Sequence, residues 1–295
     1  MDVEMKIQEP INRVTRKQKL KNYSKHPGSF LLALLTKLAI LLTVLALGFI
    51  LIYILVKGIP NLSTDLFALK YTTENVSMLP AIINTLMITL LSLCIAGPIG
   101  IFSAIYLVEY AKKGNKLVEV VRVTAETLTG IPSIVYGLFG MLFFVTTLKC
   151  GYSLLAGALT LSIMVLPVIM RTTEEALLAV PNSFREGSFG LGAGKLRTIF
   201  KIVLPSAVPG ILAGVILAIG RMVGETAALI YTAGTVAEIP SSIMSSGRTL
   251  AIHMYSLSKE GLYTDQAYAT AVVLLIVVVL INMLSNFVAK KFTKK

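Results

Sequence analysis

Inside an otherwise apolar run, ILAGVILAIGRMVGETAALIYTAG, an arginine and a glutamate stand four residues apart, Arg221 and Glu225. On a helix that spacing puts both on one face. A charge deep in a bilayer is costly, so such residues face a bundle interior, pair with each other, or line a pathway. Two readings fit. The pair is structural, or the planar fork of Arg221 grips an oxyanion while Glu225 orients it and balances its charge when no anion is bound. Thr226 adds a hydroxyl, and Gly220 and Gly224 leave room for close backbone approach.

A second stretch, EGSFGLGAGKLRTIFKIVLP at 186–205, has the look of a phosphate-cradling loop. The spacing excludes it. A P-loop reads G-x-x-x-x-G-K-S/T, and with Gly194 and Lys195 as its G-K pair the first glycine would fall on Phe189. Leu196 stands where the magnesium-binding hydroxyl belongs, so this chain is not expected to hydrolyse nucleotide. The stretch predicts a helix–turn–helix knob instead. Ser183 and Glu186 are spaced as a capping box, and Gly190, Gly192 and Gly194 supply a turn. Leu196, Ile199, Phe200 and Val203 share a helical face, and Pro205 closes the second helix.

The elements that hold these residues are membrane spans. Of 295 residues 55% are hydrophobic and 14% charged, with a mean hydropathy of +0.80, whereas soluble domains are roughly a quarter charged. Six runs approach the length of a span, about 20 residues: 38–56, 83–108, 128–148, 154–170, 207–231 and 267–288. Gly97, Pro98 and Gly100 predict a kink in the second. The first is too long for a signal-peptide core and reads as an uncleaved anchor.

With the N-terminus inside, 20 of the 27 Lys and Arg fall in segments 1–29, 109–127, 171–206 and 289–295, against five in 57–82, 149–153 and 232–266. Both termini are then expected in the cytoplasm, and the net charge of +12 is topological, with no call for a nucleic-acid partner. The basic segment 1–29 reads as a tail, and 291–295 as a second, shorter one. Pro132, between Gly130 and Gly140, marks either close helix packing or a broken helix at a pathway. The segment 232–266 is too long for a simple connection. It either caps a pore or receives a solute-binding protein.

Glu186, Gly187, Ser188, Gly192, Ile202, Leu204 and Pro205 are spaced as in the EAA loop of prokaryotic ABC-importer permeases, E-A-A-x3-G-x9-I-x-L-P, with Gly187 and Ser188 where alanines are usual. RMVGET resembles the R-x-x-G-E-T signature of phosphate ABC importers. GIPSIVYGLFG at 130–140 and LPVIMRTTEEALLAVPNSFREGS at 166–188 are similar to the same proteins. RTTEEAL and GRTLAIHMYSLSKEG at 247–261 are closer to their PstA-type than their PstC-type subunits.

The resemblance covers residues 75–290; the anchor at 30–57 fits it in position and character only. It implies an all-α, six-span fold of the type I ABC importer (MetI-like) class in a prokaryotic inner membrane. It implies a subunit that is not itself an enzyme, with Arg221, Glu225, Thr226 and Arg171 on a phosphate path. Arg171 fits a positive-inside anchor equally well. Within 171–206 the knob would couple to a separate ATPase dimer, which holds the ATP and magnesium, this chain binding no cofactor. The implied partners are a PstC-type permease, an extracytoplasmic phosphate-binding protein, inorganic phosphate and lipid. The competing readings are the PstC-type partner, a permease for another oxyanion, and an ion-coupled secondary transporter, which usually has internal repeats.

Overall fold

The computed structural model describes residues 27–112 and 114–293. The tail expected at 1–29 therefore lies almost wholly outside the described residues, as do 294 and 295. Among the described residues there are helices and no strand.

The chain divides into two units, residues 1–54 and 55–295. The described part of the first is helical throughout and belongs to α1 (Pro27–Gly58). Its apolar side chains point in all directions and are exposed, Leu42, Phe49 and Ile52 among them. A helix apolar all round suits lipid, and at 1.5 Å per residue its 32 residues outrun the roughly 30 Å hydrocarbon core.

The second unit contains α2 (Leu79–Ile105), α3 (Lys116–Thr129), α4 (Ser133–Gly140), α5 (Leu154–Leu178), α6 (Asn182–Gly190), α7 (Lys195–Thr198), α8 (Leu204–Val223), α9 (Ala227–Ile230), α10 (Leu250–Glu260) and α11 (Thr264–Thr293). π-helical turns extend α2 (Tyr106–Tyr110) and α4 (Met141–Thr147) and join α7 to α8 (Ile199–Val203). With α1, the uninterrupted rods Leu79–Tyr110, Leu154–Leu178, Lys195–Val223 and Thr264–Phe287 are long and apolar enough to cross a membrane. Pro98 lies inside α2 without interrupting it.

Two expected spans come out differently. The run 128–148 is not one helix. Lys116–Thr129 and Ser133–Thr147 meet at a bend of 104°, at Pro132, which takes an extended backbone (ψ 141°), disfavours helical geometry at the residue before it and has no N–H to give. Among the described residues five helices are long and apolar enough to be spans, or six if the bent pair is one. The run 207–231 starts earlier and stops earlier. Pro205 does not end a helix: the wider π turn shifts the hydrogen-bond register, so the missing N–H falls in the first turn of α8. The same shift splits the predicted knob face. Ile199 and Val203 are buried, while Leu196 and Phe200 are exposed.

The core lies where α2, α5 and α8 meet, around Ile88, Leu161, Met164, Val165 and Met222. Lipid is as apolar as leucine, so close packing rather than hydrophobic burial must hold these helices together. Gly100 of α2 lies against Ile169 of α5, and Gly214 of α8 against the Thr172 hydroxyl, with no room for a β-carbon at either. A second core, with Leu107, Leu177, Ile199 and Val203, lies beneath α6 and α7. The segment 232–266 is folded against the bundle. Asn84 Nδ2 donates to the carbonyls of Glu238 (3.0 Å) and Arg248 (3.2 Å), and Leu250 N–H donates to Thr85 Oγ1 (2.8 Å).

Candidate functional site

Arg221 lies in the last turn of α8, which stops at Val223; Glu225 is beyond the helix end. The two do not share a helix face, contrary to the sequence expectation. Gly224 closes the helix, and the Glu225 N–H donates to Met222 O (3.2 Å). The Glu225 carboxylate turns away and accepts the Ala228 N–H (3.1 Å), capping α9, where exposed N–H groups favour negative charge. Thr226 Oγ1 reaches Gly224 O at 3.5 Å. Among the described residues Arg221 has no carboxylate within ion-pair distance and no hydrogen bond. It is half-buried, a free guanidinium at a helix end.

The other broken element packs against α9. Across the bend at 130–132, Tyr136 Oη donates to Leu128 O (2.7 Å), a carbonyl at the end of α3 that also accepts the Ile131 N–H (3.2 Å). Tyr136 is itself buried. Gly137 of α4 touches the backbone of Ala227 and Ala228 in α9, where a β-carbon would lie 2.8 Å from Ala228 Cα. The segment 130–140 therefore holds both a break, at Pro132, and close packing, at Gly137 and Gly140. Two interrupted helices thus meet beside one unpaired arginine. Irregular backbone at membrane depth is tolerated where protein buries it or where it lines a cavity, and such breaks are a usual place for an ion or anion to bind.

Arg171 is elsewhere, exposed on α5, with its charge met by Glu126 (Nη1 to Oε1, 3.3 Å) and Glu175 (Nε to Oε1, 3.2 Å). Beside it Arg122 pairs with Glu174 at 2.5 Å. These groups line a groove of about 300 Å³ between α3 and α5. Arg171 is not brought together with Arg221.

The knob forms, though not as spelled. α6 runs from Asn182 through Gly187 and Ser188 to Gly190 without the capping box, since Ser183 lies inside the helix and makes no capping bond. Gly192 takes φ +81° in the turn, a conformation that only glycine adopts without strain. The Ser188 and Thr198 hydroxyls bond at 2.9 Å and tie the two arms. Glu186 is exposed, as are Phe184, Phe189 and Leu191. Ile202 lines a hollow of about 510 Å³ with Ser188, Leu191 and Arg197, while Leu204 and Pro205 continue into α8.

Two groups were missed by sequence reasoning. Arg185 and Glu109 form a nearly buried ion pair at 2.7 Å; a lone carboxylate in the apolar run IYLVEYA was the available signal. In the segment 232–266, Arg248 lies buried with its guanidinium 4.6 Å above the Tyr71 ring, and fully buried His253 meets the same ring edge-on. No spacing in the sequence pairs those three.

Residues 96–295 match the family described as binding-protein-dependent transport system inner membrane component. The chain belongs to that family. A probable ABC transporter permease protein YqgI of Bacillus subtilis (strain 168) is 32% identical over 82% of this chain and 88% of its own length. The phosphate transport system permease protein PstA of Pasteurella multocida (strain Pm70) is 37% identical over 87% of this chain and 92% of its own. Among solved structures, a chain of a bacterial alginate ABC transporter, in complex with alginate pentasaccharide-bound periplasmic protein, superposes with a TM-score of 0.67. It is 17% identical, covering 92% of this chain and 98% of that one. A chain of the MetNI methionine ABC transporter, in an inward-facing conformation, gives 0.57 at 20% identity over 82% and 98%. These likenesses show the fold of an ABC-importer permease. The chain is a multi-pass inner-membrane permease subunit; in such transporters ATP hydrolysis belongs to a different subunit.

Proposed function

We propose that this permease subunit carries inorganic phosphate inward as part of an ATP-driven importer, paired with a PstC-type permease, an ATPase dimer that holds the ATP and magnesium, and an extracytoplasmic phosphate-binding protein. The observation that carries the reading is Arg221, an unpaired guanidinium at the point where two interrupted helices meet. A guanidinium presents a rigid fork to tetrahedral oxyanions, and Glu225 stands near enough in sequence to temper that charge without neutralising it. The relatives named for phosphate transport support the choice of anion. A path must release what it binds, so Arg221 makes a transient contact and selectivity rests mainly with the external protein.

In this reading both termini and the knob lie on the cytoplasmic side, following the lysine and arginine distribution. Glu186, Gly187, Ser188 and Gly192 present α6 to the ATPase, and the exposed Phe184, Phe189 and Leu191 supply the apolar contact. Arg171, already paired with two carboxylates, serves at the inner end of the path. The test is uptake into vesicles holding the complete complex. ATP-dependent accumulation of phosphate, with sulfate excluded, is the expected result; equal uptake of sulfate would assign the protein to another oxyanion, and no ATP dependence would remove it from the importers.

A further inference from the structure

Of the three helices that build the core, two are joined to the knob through the main chain. α5 leads into α6 across residues 179–181, and α7 runs into α8 as one rod. The third, α2, has no such connection. It meets the knob through side chains, and Arg185 is chief among them.

Arg185 lies in the first turn of α6, its side chain 15% exposed, and Glu109 lies in the π turn that ends the α2 rod, 9% exposed. Nε and Nη2 both donate to Glu109 Oε1, at 3.1 and 2.7 Å. Nη1 donates to Val180 O (2.8 Å) and reaches Asn182 Oδ1 (3.5 Å); Nη2 also donates to Leu177 O (2.9 Å). A guanidinium has five N–H donors, and these contacts occupy them all. Leu177 and Val180 are at the C-terminal end of α5, where carbonyls lack helical partners and positive charge is favoured. One side chain thus fastens the ends of α2 and α5 to the start of α6. A weaker tie runs beside it, Lys195 Nζ lying 4.8 Å from the centre of the Tyr110 ring.

Exposed ion pairs hold little. This pair is nearly buried and its guanidinium fully hydrogen-bonded, so removing either partner strands the other as an uncompensated charge. We propose that Arg185 and Glu109 are the positioning pair through which movement of α6 reaches α2, so that all three core helices move with the knob. The inference rests on the permease reading and names the residues that deliver its stroke.

The experiment uses the complete complex in vesicles, reading phosphate uptake and ATP hydrolysis in parallel for the unaltered protein and for Glu109→Gln, Arg185→Gln and Arg185→Lys. In assembled complexes, phosphate moved per ATP falls about tenfold for the two glutamine variants, and less for Arg185→Lys, which keeps the charge but loses the fork. An unchanged ratio in assembled glutamine variants overturns the proposal. If those variants do not assemble, Lys195→Ala and Tyr110→Leu decide, since neither strands a buried charge: a fall of about threefold supports the coupling of α2, and no change refutes it. An unaltered complex that moves no phosphate would count against the permease reading itself; an unaltered complex that is coupled, with variants equally coupled, counts only against the pair.

Discussion

Acidification should loosen the segment packed over the N-terminal end of α2, and His253 sets the size of the effect. The ring is fully buried, and neither nitrogen makes a hydrogen bond of good geometry. Burial first, and then the nearby Arg248 charge, lower its pKa from 6.5 to about 3, with the backbone of Val76 pulling weakly the other way. Below the unfolded value of 6.5 the released chain takes up a proton that the packed one refuses. Stability therefore falls as the pH drops from 6.5 towards about 3. Each pH unit is worth about 1.4 kcal/mol, so at about pH 5 the loss is about 2 kcal/mol. The assay is hydrogen exchange of 248–260 in detergent at about pH 7.5 and about pH 5, for the unaltered protein and for His253→Phe, which keeps an aromatic ring against Tyr71. The unaltered protein should lose about 2 kcal/mol more than the variant over that interval. Parallel losses in the two proteins would refute the reasoning, because other titrating groups cancel in the difference.

Gly214→Ala should destabilise the bundle by about 1–3 kcal/mol, since the added carbon meets the Thr172 hydroxyl. Thr172 Cβ also lies within 2.6 Å of the added carbon, so trimming the neighbour to glycine in Gly214→Ala/Thr172→Gly should restore part of the loss, measured as the temperature at which detergent-solubilised protein aggregates. Tyr136→Phe removes the hydrogen bond to Leu128 O and leaves that carbonyl only the Ile131 N–H, at about 0.5–1.5 kcal/mol. Faster backbone exchange at 128–132 with α5 unaffected is the expected signature.

The membrane class and most spans were legible because apolar run length is a direct physical demand of the bilayer. The knob was legible from its spacing, and the need for a glycine at 192 follows from its positive φ. What escaped was hydrogen-bond register. From the sequence, Pro205 should stop a helix, but a π turn before it absorbs the fault. Pro132 admitted two readings until the 104° bend settled the backbone. Arg221 and Glu225 are correctly spaced for a helical pair, yet the helix ends between them, and a capping demand at α9 claims the carboxylate. The missed groups share one cause. Glu109 and Arg185 are 76 residues apart, and Tyr71 and His253 meet only after the segment 232–266 has folded back, so no local pattern could announce them.

The central claim is that Arg221 is left unpaired to meet an anion in transit. Its most direct test is phosphate uptake by the complete complex carrying Arg221→Ala, with assembly verified by co-purification of the partner subunits. ATP-driven uptake should be lost while the complex stays intact, and Arg221→Lys, a cation without the fork, should recover only part of it. Near-normal uptake by the assembled alanine variant would contradict the account.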